Sequence, residues 1–389
     1  MPELPEVEAA RRFIERLCAG STIVSVTTRE QGGGPREGSF DDIVFEHVSD
    51  GTTNDSESLY HTALLRKTLK CVHRKGKQFW FEFAEPESPC VLFHFGMTGS
   101  CAIKGQEAMK YRSFKVDEAH WPPRFTKLLL KFDNGEELAF CDPRRLGRIK
   151  IRSDPHNTSP LKDLGIDPLS GDIPDAPALK KLIESISSPI KSLLLDQERV
   201  FCGIGNYLAD EILYQAKIHP STKANALSDA GIEALITAIK YVIHTAVAAE
   251  ADYKFFPTDW LFHCRWDKVK SKSQKILLPN GSAVVFEEVA GRTTAIVPSV
   301  QLLRSPLVVL GTTNTARGKT KIKAESSLPT TDSISATVGA TTVAKRERKI
   351  SHGEIKVEVK EEVIEEVKVA LAQRNVKQKV KEEGNAAPA

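Results

Sequence analysis

The chain has 389 residues, enough for two or three domains with sizeable cores. Its 54 Lys+Arg and 51 Asp+Glu nearly cancel, and residues 1–316 hold 39 cations against 40 anions, so any anion-binding surface must come from local clustering rather than a global field. Seven cysteines without a CxxC pair, together with no signal-peptide pattern, argue against a disulfide framework and lead us to expect reduced thiols in an intracellular compartment; no apolar run approaches a membrane span.

The chain opens Met1-Pro2-Glu3-Leu4-Pro5-Glu6-Val7-Glu8. Proline beside the initiator favours Met removal, which leaves the secondary amine of Pro2 as the terminus. Such an α-amine titrates near about pH 8, so part of it is a free nucleophile at neutral pH. Its attack on an aldehyde-level carbon gives a charged iminium, an electron sink, and Glu3 beside it is a candidate general acid. The same residues also suit the plainer task of leading into and capping a helix. Pro-Glu alone leaves both readings open.

Residues 5–19 then read as a helix, with Val7, Ala10, Ile14 and Leu17 at helical spacing and Gly20 as the stop. Segments 22–28, 78–83, 91–95, 127–132, 138–140 and 148–152 read as strands, with Asn134-Gly135 as a hairpin turn. Segments 31–38 and 49–58 read as loops. These elements predict a β-sandwich with a helix packed on it. After Pro155, segments 176–187, 189–200, 206–217 and 228–249 fit helices. Segments 275–278 and 283–287 flank a Pro279–Ser282 turn as a hairpin, and 295–297 adds a strand end. Phe286 is the last aromatic residue; beyond about 305 the chain is too polar to offset its entropy and is expected to be disordered. Within that tail, 355–380 is a candidate transient helix and Lys345-Arg346-Glu347-Arg348-Lys349 a candidate nuclear address. The expectation is an α+β chain divided at 1–154, 155–260, 261–304 and 305–389.

Several short motifs lie at the ends of these elements. Arg74-Lys75-Gly76-Lys77 places three cations before a strand, suited to phosphate neutralisation or to an ordinary solvated turn. His94-Phe95-Gly96-Met97-Thr98-Gly99 presents a Met between glycines, either a core residue or a wedge into a base stack. Asp142-Pro143-Arg144-Arg145-Leu146-Gly147 displays guanidiniums and one leucine at a rigid loop tip, and guanidiniums read phosphates or base edges. In Gly203-Ile204-Gly205-Asn206 a helix begins after a glycine turn whose free N–H groups could hold an anion. Gly291-Arg292-Thr293-Thr294 is a weak candidate phosphate clamp.

In this order, PELPEVE, RKGK, HFGMTG, DPRRLG, LLDQ…GIGN and GRTT closely resemble the formamidopyrimidine-DNA glycosylase (Fpg) and endonuclease VIII family over roughly residues 2–300. The resemblance implies an N-terminal β-sandwich, a helix–two-turn–helix domain and a C-terminal β-hairpin finger. It implies that Pro2 attacks the sugar C1′ of an everted damaged nucleotide, that Glu3 protonates the ring oxygen, and that Glu6 shapes the lesion pocket. Lys77 would contact phosphates and assist proton transfer, and His94 would be a further phosphate contact. Met97, Arg144 and Leu146 would fill the space left by the base, with Arg145 supporting the backbone. Asn206 and Arg292 would grip the lesion phosphates, with Lys191 near the phosphate or base end. The implied enzyme is a bifunctional DNA glycosylase and AP lyase of base excision repair. It would act as a monomer on duplex DNA carrying oxidised bases or abasic sites, without membrane attachment, and the expected address is the nucleus, with an organelle as the alternative. The tail would be free for protein partners.

The chain departs from the bacterial pattern at three points. Residues 260–300 hold only Cys264, so the finger resembles the zincless branch typical of plants and fungi, and neither metal nor cofactor is expected. Leu146 stands where the bacterial pattern has Phe. Segment 246–260 lacks the long Gly/Thr-rich loop that covers 8-oxoguanine in bacterial Fpg. Oxidised purines such as formamidopyrimidines and hydantoins are therefore the expected lesions, with 8-oxoguanine a poor substrate. The rivals are an oxidised-pyrimidine glycosylase of the endonuclease VIII type and a non-catalytic binder of damaged DNA.

Overall fold

The computed structural model describes residues 2–47, 55–106, 120–268 and 273–303, with residues 364, 365, 368 and 369 in helical conformation beyond them. The expected disordered tail, its basic cluster and most of the 355–380 segment lie outside the described residues.

Helix α1 (Leu4–Cys18) starts with Pro5 in its first turn, where a missing N–H costs nothing, and carries Glu6 there and Arg16 in its last turn. Its buried stripe Val7, Ala10, Ile14 and Cys18 packs onto the sandwich. Leu4 instead joins the core of the helical domain. One helix is thus seated in two cores.

The sandwich has two antiparallel four-stranded sheets. One runs in the order β1 (Ile23–Thr27), β6 (Thr126–Phe132), β7 (Glu137–Cys141), β5 (Ser100–Ile103). The other runs β2 (Leu69–Lys75), β3 (Gln78–Phe83), β4 (Cys90–His94), β8 (Arg148–Arg152). Alternate positions supply the core, where Phe79, Phe81, Phe93, Phe95 and Phe140 pack at ring-centroid distances of 4.7–5.9 Å. Asn134-Gly135 turns β6 into β7 as predicted. Three elements escaped the sequence reading. β2 is bulged between Leu69 and Cys71, which breaks its alternation, and β5 is only four residues long. Helix α2 (Ser56–Leu64), capped by Asp55, overlaps the predicted 49–58 loop and buries only Tyr60, Ala63 and Leu64.

The helical domain holds α3 (Ala176–Ile183), α4 (Ile190–Leu195), α5 (Asn206–Gln215) and α6 (Asp229–Ala248). α4 is shorter than the predicted 189–200. The chain leaves it at Asp196, and the Gln197 side chain then binds the next turn, donating to the Ile204 carbonyl at 2.9 Å and accepting from Gly203 N–H at 2.9 Å. α6 has the length and mean hydropathy (1.3) of a membrane span, contrary to the sequence reading. Here it is the central core helix, burying Ile232, Leu235, Ile239, Val242 and Ile243. The finger is a three-stranded sheet, β11 (Arg292–Ile296), β10 (Ala283–Val289), β9 (Ile276–Leu277), closed over Leu261, Ile276, Leu278, Val284, Ala295 and Val297. β11 begins at Arg292, three residues before the predicted strand end, because Val289 and Arg292 pair across a tight Ala290-Gly291 turn.

Candidate active site

The amino terminus and the start of α5 interlock. Pro2 is buried, and Glu3 is only 2% exposed. The Glu3 carboxylate accepts from the backbone N–H groups of Gly205 (2.9 Å), Tyr207 (3.0 Å) and Leu208 (3.1 Å). These are free donors of a helix start, where the dipole also favours an anion. The anion site predicted at Gly203–Asn206 therefore exists, but the anion is the protein's own Glu3 carboxylate rather than an outside phosphate. A β-carbon on Gly205 would stand 2.2 Å from the Glu3 carboxyl carbon, so only glycine permits this docking. Gly205→Ala is expected to drive Glu3 off its donors and to lower excision at least about tenfold with the fold retained, as read by single-turnover kinetics beside a thermal melt.

Glu6 continues the arrangement. Its Oε2 accepts from Glu3 N–H at 3.0 Å, closing the first turn of α1. The Tyr207 hydroxyl donates to the same carboxylate, 2.9 and 3.0 Å from its two oxygens. Burial, and then the neighbouring Glu3, push the Glu6 carboxyl up to about 7. Burial also raises the Glu3 carboxyl, against the Lys77 charge and the helix-start N–H groups. Burial thus shifts both acids toward the protonated form, the direction that suits proton donation. A carboxyl raised from 4.5 unfolded to about 7 folded stabilises the fold below 4.5 and loses that contribution as pH rises through 7. Relative to Glu6→Gln, wild-type unfolding free energy is therefore expected to fall by about 2 kcal/mol between roughly pH 5 and 8, measured by denaturant titration.

Of the RKGK motif, only Lys77 serves this site. Arg74 is buried against Glu8 (2.9 Å) and Asp167 (2.5 Å), and Lys75 donates to the Leu161 carbonyl at 3.0 Å. These two cations tie domains together rather than neutralise phosphate. Lys77 lies in the Gly76-Lys77 turn between β2 and β3, donates to the Ile204 carbonyl at 3.0 Å, and lies within the fields of Glu3, Glu6 and Arg292. Burial lowers its pKa against the pull of the two acids. His94 is held near 4 by burial and then by Lys77, Lys150 and Arg148. Its Nδ1 accepts from Gly96 N–H at 3.2 Å, so the neutral ring carries its proton on Nε2 and can donate only from there.

Arg292 is exposed at the finger hairpin. Asn206 uses one amide N–H on the Thr293 carbonyl at 3.0 Å, leaving the second for a ligand. Lys191, expected near the phosphate or base end, is placed in the interior. It is 0% exposed and donates to Asp210 (2.7 Å) and to the Thr294 hydroxyl (2.6 Å). Asp210 also binds Arg265 at 3.0 Å and accepts from Ala295 N–H at 3.3 Å. Lys191 therefore anchors the GRTT segment from within and has no surface to offer a phosphate.

The two apolar loops meet at one edge of the sandwich. Met97 is 40% and Leu146 38% exposed, and Arg144 is also exposed. Gly96, at φ 60°, lies so close to the Leu146 carbonyl that a β-carbon would come within 2.3 Å of it. Asp142, fully buried, holds both loops by accepting from Thr98 Oγ1 (2.8 Å), Arg144 N (3.2 Å) and Gly147 N (2.6 Å). Arg145 takes φ 57° and sends its guanidinium back onto Asp41, at 2.8–3.1 Å. Burial would raise the Asp41 carboxyl, but Arg145 and Lys127 overcome this and hold it at about 2. Arg145 fixes the loop while Arg144 and Leu146 project from it. Asp41, Asp142 and Tyr207 were not singled out from sequence, since the acids act on backbone or on partners remote in sequence.

Comparison with known proteins agrees with this geometry. Residues 1–149 match the formamidopyrimidine-DNA glycosylase N-terminal domain, and residues 164–256 match the H2TH domain of formamidopyrimidine-DNA glycosylase. The chain is 40% identical over 307 residues to the Arabidopsis thaliana formamidopyrimidine-DNA glycosylase, covering 78% of this chain and 71% of that one. It is 32% identical over 247 residues to the Herpetosiphon aurantiacus formamidopyrimidine-DNA glycosylase, covering 64% and 78% of the two chains. Among solved structures, Thermus thermophilus MutM (Fpg) superposes with TM-score 0.56 at 26% identity, covering 77% of this chain and 98% of that one. Lactococcus lactis Fpg, solved with DNA containing an AP site, shares the fold at TM-score 0.55 and 24% identity, covering 77% of this chain and 100% of that one. The chain belongs to the formamidopyrimidine-DNA glycosylase family, the DNA glycosylase/AP lyases of base excision repair.

Proposed function

We propose that this protein removes oxidised purines from duplex DNA and then cuts the strand, using the Pro2 amine as nucleophile. The observation that carries this reading is the docking of the Pro2-Glu3 terminus on the N-terminus of α5 beside Lys77. Once Met1 is removed, the Pro2 nitrogen attacks C1′ of the everted nucleotide. Glu3 delivers a proton to the ring oxygen, the base departs, and the opened sugar is held as an iminium on Pro2. The iminium acidifies the C2′ proton. Its loss expels the 3′ phosphate by β-elimination, and δ-elimination expels the 5′ phosphate. Met97, Arg144 and Leu146 would fill the gap left by the base, which offsets the few kcal/mol of lost stacking. His94, Asn206 and Arg292 would hold the phosphates beside the lesion.

Formamidopyrimidines and hydantoins are the proposed lesions. Segment 246–260 runs from the end of α6 through a short helical turn at Tyr253–Phe255, without an added loop to cover 8-oxoguanine. A monomer acting in the nucleus completes the proposal.

Borohydride reduction tests the chemistry. The processed enzyme is expected to give a covalent adduct with abasic duplex that maps to Pro2, and Pro2→Gly to retain DNA binding while losing most turnover. Folded enzyme that binds but leaves no adduct would identify a non-catalytic binder. Preferential excision of thymine glycol over formamidopyrimidine would identify the endonuclease VIII type. Arg292→Ala is expected to weaken DNA binding and to reduce the slope of log K against log salt by about 0.9, read by titration at several salt concentrations.

A further inference from the structure

Cys71, His73 and Glu82 form a cluster on the outer face of the second sheet, apart from the active site. Cys71 and His73 are two apart on β2 and so share a face, and Cys71 pairs with Glu82 on β3. Cys71 Sγ lies 3.1 Å from His73 Nε2 and 3.3 Å from Glu82 Oε2, and the latter two atoms are 2.5 Å apart. A tetrahedral zinc with ordinary bond lengths needs its ligand atoms about 3.3–3.6 Å apart, so modest opening of the trio makes room for an ion.

The surroundings hold these ligands in place. Lys70 binds the other Glu82 oxygen at 2.6 Å, which fixes the carboxylate and leaves Oε2 facing the cluster. The His73 ring stacks on Trp80 at 5.2 Å. The side chains of His73 and Glu82 are 40% and 34% exposed, so an ion can enter from solvent. Continuing the β3–β4 register puts Cys90 opposite Glu82, a second thiol one strand away. One thiolate, one imidazole and one carboxylate form a mixed donor set suited to zinc-class cations rather than to magnesium or calcium.

We propose that Cys71, His73 and Glu82 bind a thiophilic divalent cation of the zinc class, with solvent access to the remaining position. The ion would brace the β2–β3 hairpin, whose far end carries Lys77. It would displace the Cys71 proton on binding. This site is independent of the finger, where Cys264 is the one cysteine between residues 260 and 300.

Cobalt and zinc titrations of the full-length protein test the proposal. The expected result is one tight equivalent of cobalt, bound with release of the Cys71 proton and a thiolate-to-metal charge-transfer band, and displaced by zinc. Cys71→Ser should abolish the band. His73→Ala and Glu82→Gln should each weaken binding by about tenfold or more, and Cys264→Ser should leave it intact. Circular dichroism of each variant separates lost ligation from lost folding. A band that persists in folded Cys71→Ser, or affinity unchanged in folded His73→Ala, would overturn the assignment. So would the absence of binding to the folded wild type.

Discussion

Glu3→Gln is expected to slow base excision by about two to four orders of magnitude, the usual contribution of a positioned general acid. The substitution keeps the shape and removes the transferable proton. An amide oxygen facing Gly205 and Leu208 N–H preserves the two bonds now made by Oε2. The amide NH2 then faces Tyr207 N–H, which loses its acceptor, at a cost of about 1–3 kcal/mol. Some of the loss will therefore appear as a lower melting temperature. Single-turnover excision at a temperature where both proteins are folded separates the two effects. Excision unchanged from wild type would remove Glu3 from the chemistry and leave it as a helix cap.

Asp210→Ala should be the most destabilising single change, by about 3–5 kcal/mol. Its carboxylate is shared by two buried cations, Lys191 at 2.7 Å and Arg265 at 3.0 Å, and by the Ala295 N–H. Removing it leaves both cations without their counter-charge in the interior. Lys191→Met should cost much less, because Asp210 keeps Arg265 and the apolar chain fills the same space. Denaturant unfolding of the two variants checks the order. DNA affinity should fall in both, since the network pins β11 and with it Arg292. Equal stability of Asp210→Ala and wild type would mean that the network is not what fixes the finger.

The sequence was most informative where local pattern and tertiary role agree. The helical spacing of α1, the β3 and β8 boundaries and the Asn134-Gly135 turn all follow from contacts close in sequence. It was least informative where a charged residue has a choice of partner. Arg74 and Arg145 sit in motifs that suit phosphate binding, and the resemblance put Lys191 near the phosphate or base end, yet each meets an acid: Asp167 93 residues away, Asp41 104 residues away and Asp210 19 residues away. No spacing rule identifies such partners. The glycine turn before α5 was legible as an anion site. That the anion arrives from residue 3 was not, because helix-start N–H groups donate to any carboxylate or phosphate that the fold brings to them.

The union of Glu3 with α5 also sets a schedule for the nascent chain. Glu3 is made first, whereas the backbone groups that seat its carboxylate come 202–205 residues later. At ordinary ribosomal speeds that interval is about 10–40 s. Throughout it Glu3 lacks these three donors, and under the proposed mechanism the Pro2 amine would lack its seated proton donor. On that mechanism, competence would wait for the later domain to dock on the earlier one.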